Sequence, residues 1–299
     1  MRIQLFFIFT FCFFNISYSQ SKNNFRVYDA VMIEDKPDLY KFGFSKINVI
    51  YEDSLLIVNN KFPKNPNKRL FSETKFKKTE KLIDSRYPIC VDIERWTLYP
   101  KDLNENIPKF HNVTYKFKKK YPKVDFGYYG VLPFADLYIY DLVSKLKKDK
   151  HGRSWLNQKG DDWWGDWNYL NNRLISISRN NEIAFPSCYT RFKDKDVWLE
   201  ATKIQINKIK ELNPKIKIYA FVWPQYYAKG TTADEKYIER DFWEFQLETL
   251  YKLCDGIVIW MPPFNSSNRS TINWDSNSDW LNSTKSFIKK YNIKSNFKG

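Results

Sequence analysis

The chain has 299 residues, 43% hydrophobic and 28% charged, enough to bury one large core, and this excludes a disordered tail, a collagen or a coiled coil. Lysine and arginine number 49 against 34 aspartates and glutamates, for a net charge of +15, and 18% of the residues are aromatic. A basic, ring-rich chain suits nucleic acid or an anionic polysaccharide, since both offer negative charge beside flat faces that stack on rings.

Residues 1–20 carry one positive charge at Arg2, an apolar run from Leu5 to Phe14, and then Ser17-Tyr18-Ser19. That order is the pattern of a secretory signal peptide. The apolar run is about half of the roughly 20 residues a spanning helix needs. Cleavage is expected near Ser19 and Gln20, leaving one β/α-barrel domain over 21–299 that is secreted or periplasmic, with no stable membrane insertion. An exported protein rarely meets chromosomal DNA, so the expected partner is an anionic glycan, not nucleic acid.

Strand-like runs rich in β-branched and aromatic residues follow in order: Phe25 to Ile33, Ile47 to Tyr51, Ile89 to Glu94, Val124 to Tyr129, Ile183 to Tyr189, Ile216 to Trp223 and Gly256 to Trp260. Helices are expected over Val197 to Leu212, which Pro214 stops, and over Tyr237 to Leu253 and Asp279 to Tyr291. Strand and helix alternating along the chain argue for a parallel sheet with crossover helices. Seven or so strands over this length favour a single α/β barrel of the TIM type, distorted or seven-stranded. The lysines at Lys118 to Lys120 and Lys145 to Lys150 read as solvated helix faces or ends. The segment Trp155 to Trp167 reads equally as a sugar-stacking rim or as a plug under a loop.

Cys90, Cys188 and Cys254 sit in or beside apolar segments at no metal-like spacing and read as buried thiols, with one disulfide plus a leftover thiol as the alternative. Two histidines, His111 and His151, supply neither a zinc motif nor a Ser-His-Asp triad. No metal or organic cofactor is expected, and the chemistry falls to carboxylates and phenols.

The run Pro88-Ile-Cys-Val-Asp-Ile-Glu-Arg-Trp96 carries that chemistry. Alternate residues of a strand share a face, so Asp92 and Glu94 point together while Val91 and Ile93 point the other way. With the apolar pair packed under outer helices, the acids face the barrel axis near its C-terminal mouth, where barrel enzymes place catalytic groups. The alternative is a surface acidic pair matched by Arg95. Two carboxyls on one strand approach a bound sugar from the same side, which does not suit a nucleophile and an acid flanking the bond. It does suit assisted cleavage, in which a substrate acetamido group attacks its own anomeric carbon. Glu94, with the longer reach, is then the proton donor, and Asp92 steadies the acetamido group. Neighbouring negative charge and an aromatic pocket would raise one carboxyl's pKa.

Several segments, taken in order, resemble the hyaluronidases of glycoside hydrolase family 56. They are Phe25-Arg-Val-Tyr-Asp-Ala-Val31, Val91-Asp-Ile-Glu-Arg-Trp96, Gly127-Tyr-Tyr-Gly130 with Pro133, Pro186-Ser-Cys-Tyr189, Tyr219-Ala-Phe-Val-Trp-Pro224 and Gly256-Ile-Val-Ile-Trp260. The resemblance implies a β/α barrel that cleaves N-acetylhexosaminidic bonds of a hyaluronan- or chondroitin-like polysaccharide by the retaining, acetamido-assisted route. It implies Glu94 as acid/base and Asp92 as the group that orients the acetamido nucleophile. Tyr129 and Tyr189 would hydrogen-bond around that group, Trp260 would wall its pocket, and Ser187 and Trp223 would also meet the substrate. The chain departs from the family in lacking its disulfide cysteines, in Met261-Pro-Pro after the last strand, and in Trp223 where some members carry a basic residue. Hydrolysis of a different acidic glycan, and glycan binding without turnover, stand as alternatives.

Overall fold

The computed structural model of the protein describes residues 24–65, 68–134, 139, 162–227, 234–265 and 268–297. The expected signal segment, Lys145 to Lys150 and residues 155–161 of the tryptophan-rich run lie outside them.

The seven expected strands are present, six with trimmed ends and the last extended by one residue to Met261. They are β1 (Arg26–Val31), β2 (Asn48–Tyr51), β5 (Ile89–Asp92), β6 (Phe126–Tyr128), β7 (Ile183–Ala184), β8 (Lys217–Val222) and β9 (Gly256–Met261). A small hairpin of β3 (Leu56–Ile57) and β4 (Leu70–Phe71) interrupts them after β2. The order β1-β9-β8-β7 forms one parallel sheet and β2-β5-β6 another. Single parallel bridges, Tyr28 with Ser45 and Tyr129 with Phe185, join the two sheets at both seams. The fold is therefore a distorted seven-stranded (β/α) barrel whose ring is not closed by continuous ladders.

β7 is the strand most shortened from expectation, and Pro186 is the reason. Proline has no N–H for a ladder. Beyond it the chain still tracks β8, with the Phe221 N–H donating to the Pro186 carbonyl and the Cys188 N–H to the Phe221 carbonyl, both at 2.9 Å.

The outer layer contains α1 (Glu73–Thr79), α2 (Pro100–Lys120), α3 (Asp162–Asn172), α4 (Ile175–Asn180), α5 (Lys195–Leu212), α6 (Arg240–Leu253) and α7 (Asp279–Lys290). The start of α5 is set by Asp194, whose carboxylate accepts from the Asp196 and Val197 N–H groups. The expected start of α6 at Tyr237 moves to Arg240, because Tyr237 bridges Gln225 and the Ile238 N–H bonds the Pro224 carbonyl. Lys118 to Lys120 close α2, where cations complement the helix dipole, and Lys118 also pairs with Glu182.

Val91 and Ile93 are buried, as the alternation requires, and Trp96 packs edge-on against Phe110 of α2 at 5.6 Å. Fully burying a side chain such as Val91 or Ile93 contributes about 1.5–3 kcal/mol, which ties the acidic strand to the core. Gly127 answers a close approach: a Cβ there would lie 2.0 Å from the Ile183 carbonyl oxygen. The bare glycine lets β6 reach β7 and carries Tyr129 to the rim. At the end of the tryptophan-rich run, Trp167 is buried and donates its Nε1–H to the Phe134 carbonyl at 3.0 Å. That indole is a plug, not a rim. Cys90, Cys188 and Cys254 are all buried thiols. Among the described residues no helix is long and apolar enough to cross a membrane.

Candidate active site

The parallel strands all point the same way, so the residues at or just beyond their C-terminal ends gather at one mouth. A cavity of about 660 Å³ opens there, and it brings together Asp92, Glu94, Tyr129, Ser187, Tyr189, Trp223 and Trp260 from five strand ends. All seven residues expected from sequence thus meet in one space.

Asp92 ends β5 in register with Tyr51 of β2, and Glu94 stands two residues further on, exposed at the cavity edge. Arg95 does not serve as the counter-ion of a surface acidic pair. Its guanidinium is engaged by Glu52, which also accepts the Arg95 backbone N–H at 3.0 Å. Glu52 thereby holds the chain immediately after Glu94. Oδ1 of Asp92 is buried and has no hydrogen-bond partner among the described residues. Burial, then the nearby charges of Glu94 and Glu52, push the Asp92 carboxyl up to about 8. The raised carboxyl that the pattern implies is therefore the inner residue of the pair.

Rings enclose these acids. Trp260 stacks on Tyr189 at 5.8 Å and 23°, and Trp223 meets Trp260 edge-on at 5.3 Å. Tyr129 lies 6.1 Å from Tyr189. Burial pushes the Tyr189 phenol far above its ordinary range, so it is a neutral hydroxyl throughout the physiological range. The Ser187 hydroxyl is also buried with no partner among the described residues. Buried polar atoms are nearly always satisfied, so Asp92 Oδ1 and Ser187 Oγ mark where a ligand's own polar groups would be met. Trp223, by contrast, spends its Nε1–H on Gln225 at 3.0 Å and offers the cavity a ring.

Sequence reasoning missed Tyr51, Arg191, Tyr227 and Arg269, which line the same cavity. Tyr51 accepts the Trp260 Nε1–H at 3.0 Å, orienting that indole, and burial pushes its phenol up to about 12. Its signal was its place at the end of an expected strand beside the acidic one. Arg191, Tyr227 and Arg269 follow strands in loops, where no periodicity marks direction.

The structure matches that of bee venom hyaluronidase with a TM-score of 0.53, at 14% identity, over 90% of this chain and 98% of that one. The fold is shared. A second structure of bee venom hyaluronidase, in complex with a hyaluronic acid tetramer, matches at 14% identity and a TM-score of 0.45, over 90% and 97% of the two chains. The endo-beta-1,4-mannanase from Thermotoga petrophila matches at 10% identity and 0.44, over 91% and 77%. No protein-family model and no curated protein matches the sequence.

Proposed function

We propose that the protein is a secreted or periplasmic glycoside hydrolase that cleaves N-acetylhexosaminidic bonds in an anionic polysaccharide by the retaining, acetamido-assisted route. The observation that carries this reading is the juxtaposition, in one ring-lined cavity at the barrel mouth, of exposed Glu94 with Asp92, whose buried Oδ1 has no partner among the described residues. The bee venom hyaluronidase fold supports it, being a barrel used by a glycan-cleaving enzyme.

Near neutrality burial keeps a proton on Asp92. A substrate acetamido N–H donating to Asp92 favours its ionised form, which leaves the proton on Glu94. Glu94 then gives that proton to the leaving glycosidic oxygen as the acetamido carbonyl oxygen attacks the anomeric carbon. The ring so formed carries positive charge, which the Asp92 carboxylate offsets. Water next opens that ring at the anomeric carbon, with Glu94 as base, and two inversions restore the original configuration. Tyr129, Tyr189 and Ser187 supply hydroxyls around the acetamido group, and Trp260 packs against it.

Reducing ends released from hyaluronan, chondroitin and related glycans by wild type and Glu94→Gln test the reading. Release is expected from an N-acetylated glycan and not from its deacetylated form. Activity that survives Glu94→Gln unchanged overturns the assignment.

A further inference from the structure

The cavity holds two groups that the acid/base chemistry does not use. Arg191 lies just beyond the segment that extends β7, and Arg269 in the loop after β9, and both line the space. Round the ring, β7 and β9 flank β8, so the two arginines come from elements on either side of one strand.

Each is placed by local structure. The Arg191 guanidinium lies 4.6 Å from the centroid of the Tyr227 ring, and that ring sits 5.7 Å from Trp223 and 6.0 Å from Tyr189. The cation thus belongs to the same aromatic cluster that walls the reaction site. The guanidinium is planar, and its N–H fork is the geometry that meets a two-oxygen anion bidentately. Arg269 is a non-glycine residue at φ +59°. Its loop is pinned by the Phe264–Thr271 bridge, by the Arg269 N–H on the Asn265 carbonyl and by the Asn265 N–H on the Ser270 carbonyl, the last two at 2.9 Å. Backbone in that region persists where the surroundings impose it. Here the imposed turn sets an arginine at the rim. Among the described residues no lysine lines the cavity; its cations are both arginine.

We propose that Arg191 and Arg269 form an oxyanion subsite that receives the carboxylate or sulfate of an acidic sugar unit next to the bond being cleaved. This rests on the hydrolase reading and adds to it the residues that select for charge. Charge-assisted, fork-shaped contacts beside a low-dielectric aromatic wall are the strong class of hydrogen bond.

Titration calorimetry on the Glu94→Gln protein, which leaves bound oligosaccharide intact, tests the subsite. The probes are a hyaluronan tetrasaccharide, its carboxyl-reduced form and a sulfated chondroitin tetrasaccharide. The expected result is a preference of about tenfold or more for an anionic probe over the carboxyl-reduced one. That preference should shrink severalfold with either Arg191→Gln or Arg269→Gln and vanish with both, while Arg191→Lys, which keeps charge and loses the fork, falls between. Preference confined to the sulfated probe identifies the anion as sulfate; preference for both assigns the carboxylate. Equal binding of charged and reduced probes, or a preference the arginine variants leave intact, overturns the subsite and leaves the hydrolase reading standing. No binding of any probe overturns both. Circular dichroism confirms that each variant is folded.

Discussion

One carboxylate at the mouth of the barrel differs from those at its base. At the end where the strands begin, Asp125, Glu182 and Asp255 each precede a strand and each is answered. Lys217 pairs with Asp125 at 2.5 Å, Lys118 and the Phe126 N–H meet Glu182, and the Ile218 N–H donates to Asp255 at 2.9 Å. At the mouth, Oδ1 of Asp92 is buried and has no hydrogen-bond partner among the described residues. Buried polar atoms are nearly always satisfied, so the base reads as structure and the unmatched oxygen at the mouth as the place where the proposed ligand would bind.

That contrast is broken most forcefully at Glu94. Glu94→Gln is expected to lower glycan turnover about 10²- to 10⁴-fold, with thermal stability close to wild type because the side chain is exposed. Steady-state assay alongside thermal unfolding checks both halves.

Asp92 links stability to pH. In the unfolded chain it gives up its proton near pH 4, and in the folded chain only near pH 8. Folding takes up a proton in between, so the stabilisation is fully present below about pH 4 and is lost as pH rises toward 8, by up to about 1.4 kcal/mol per pH unit. Asp92→Asn has no such proton. It should unfold close to wild type near pH 4 and at a higher temperature than wild type at pH 8. Parallel curves for the two proteins across that range would mean that burial does not raise the Asp92 carboxyl.

A smaller effect is expected at Tyr51. Tyr51→Phe removes the acceptor for Trp260 Nε1–H, and one such hydrogen bond is worth about 0.5–1.5 kcal/mol. KM should rise about 3- to 10-fold with kcat less affected, as kinetics on a defined oligosaccharide would show. The smallest effect belongs to the base. Asp125→Asn loses a partly exposed ion pair and should cost less than about 1 kcal/mol in denaturant unfolding, with turnover kept. A large loss of turnover there would erase the distinction between the two ends.

Much of the barrel was legible because β-branched and aromatic runs alternate with apolar helical faces. The 21-residue helix α2 was not, since Pro108 stands within it and reads as a breaker while few apolar residues mark its inner face. β3 and β4 are two residues each, too short for any period to register. Within the site, strand alternation was enough to place Asp92 and Glu94 on one face, because side-chain direction in a strand is a local property.

The sequence by itself thus determined the alternation of strand and helix and the pairing of the two acids, and its family resemblance implied Tyr129, Ser187, Tyr189, Trp223 and Trp260 as candidates. Which acid turns an oxygen into the protein, that Glu52 and not the acidic pair engages Arg95, that Tyr51 orients Trp260, and that Arg191 and Arg269 share their cavity were decided by tertiary structure alone. The reason is distance along the chain: Tyr51 and Trp260 are 209 residues apart, and a loop following a strand has no period to say where its side chains go. Only closing the ring of strands brings them to one mouth.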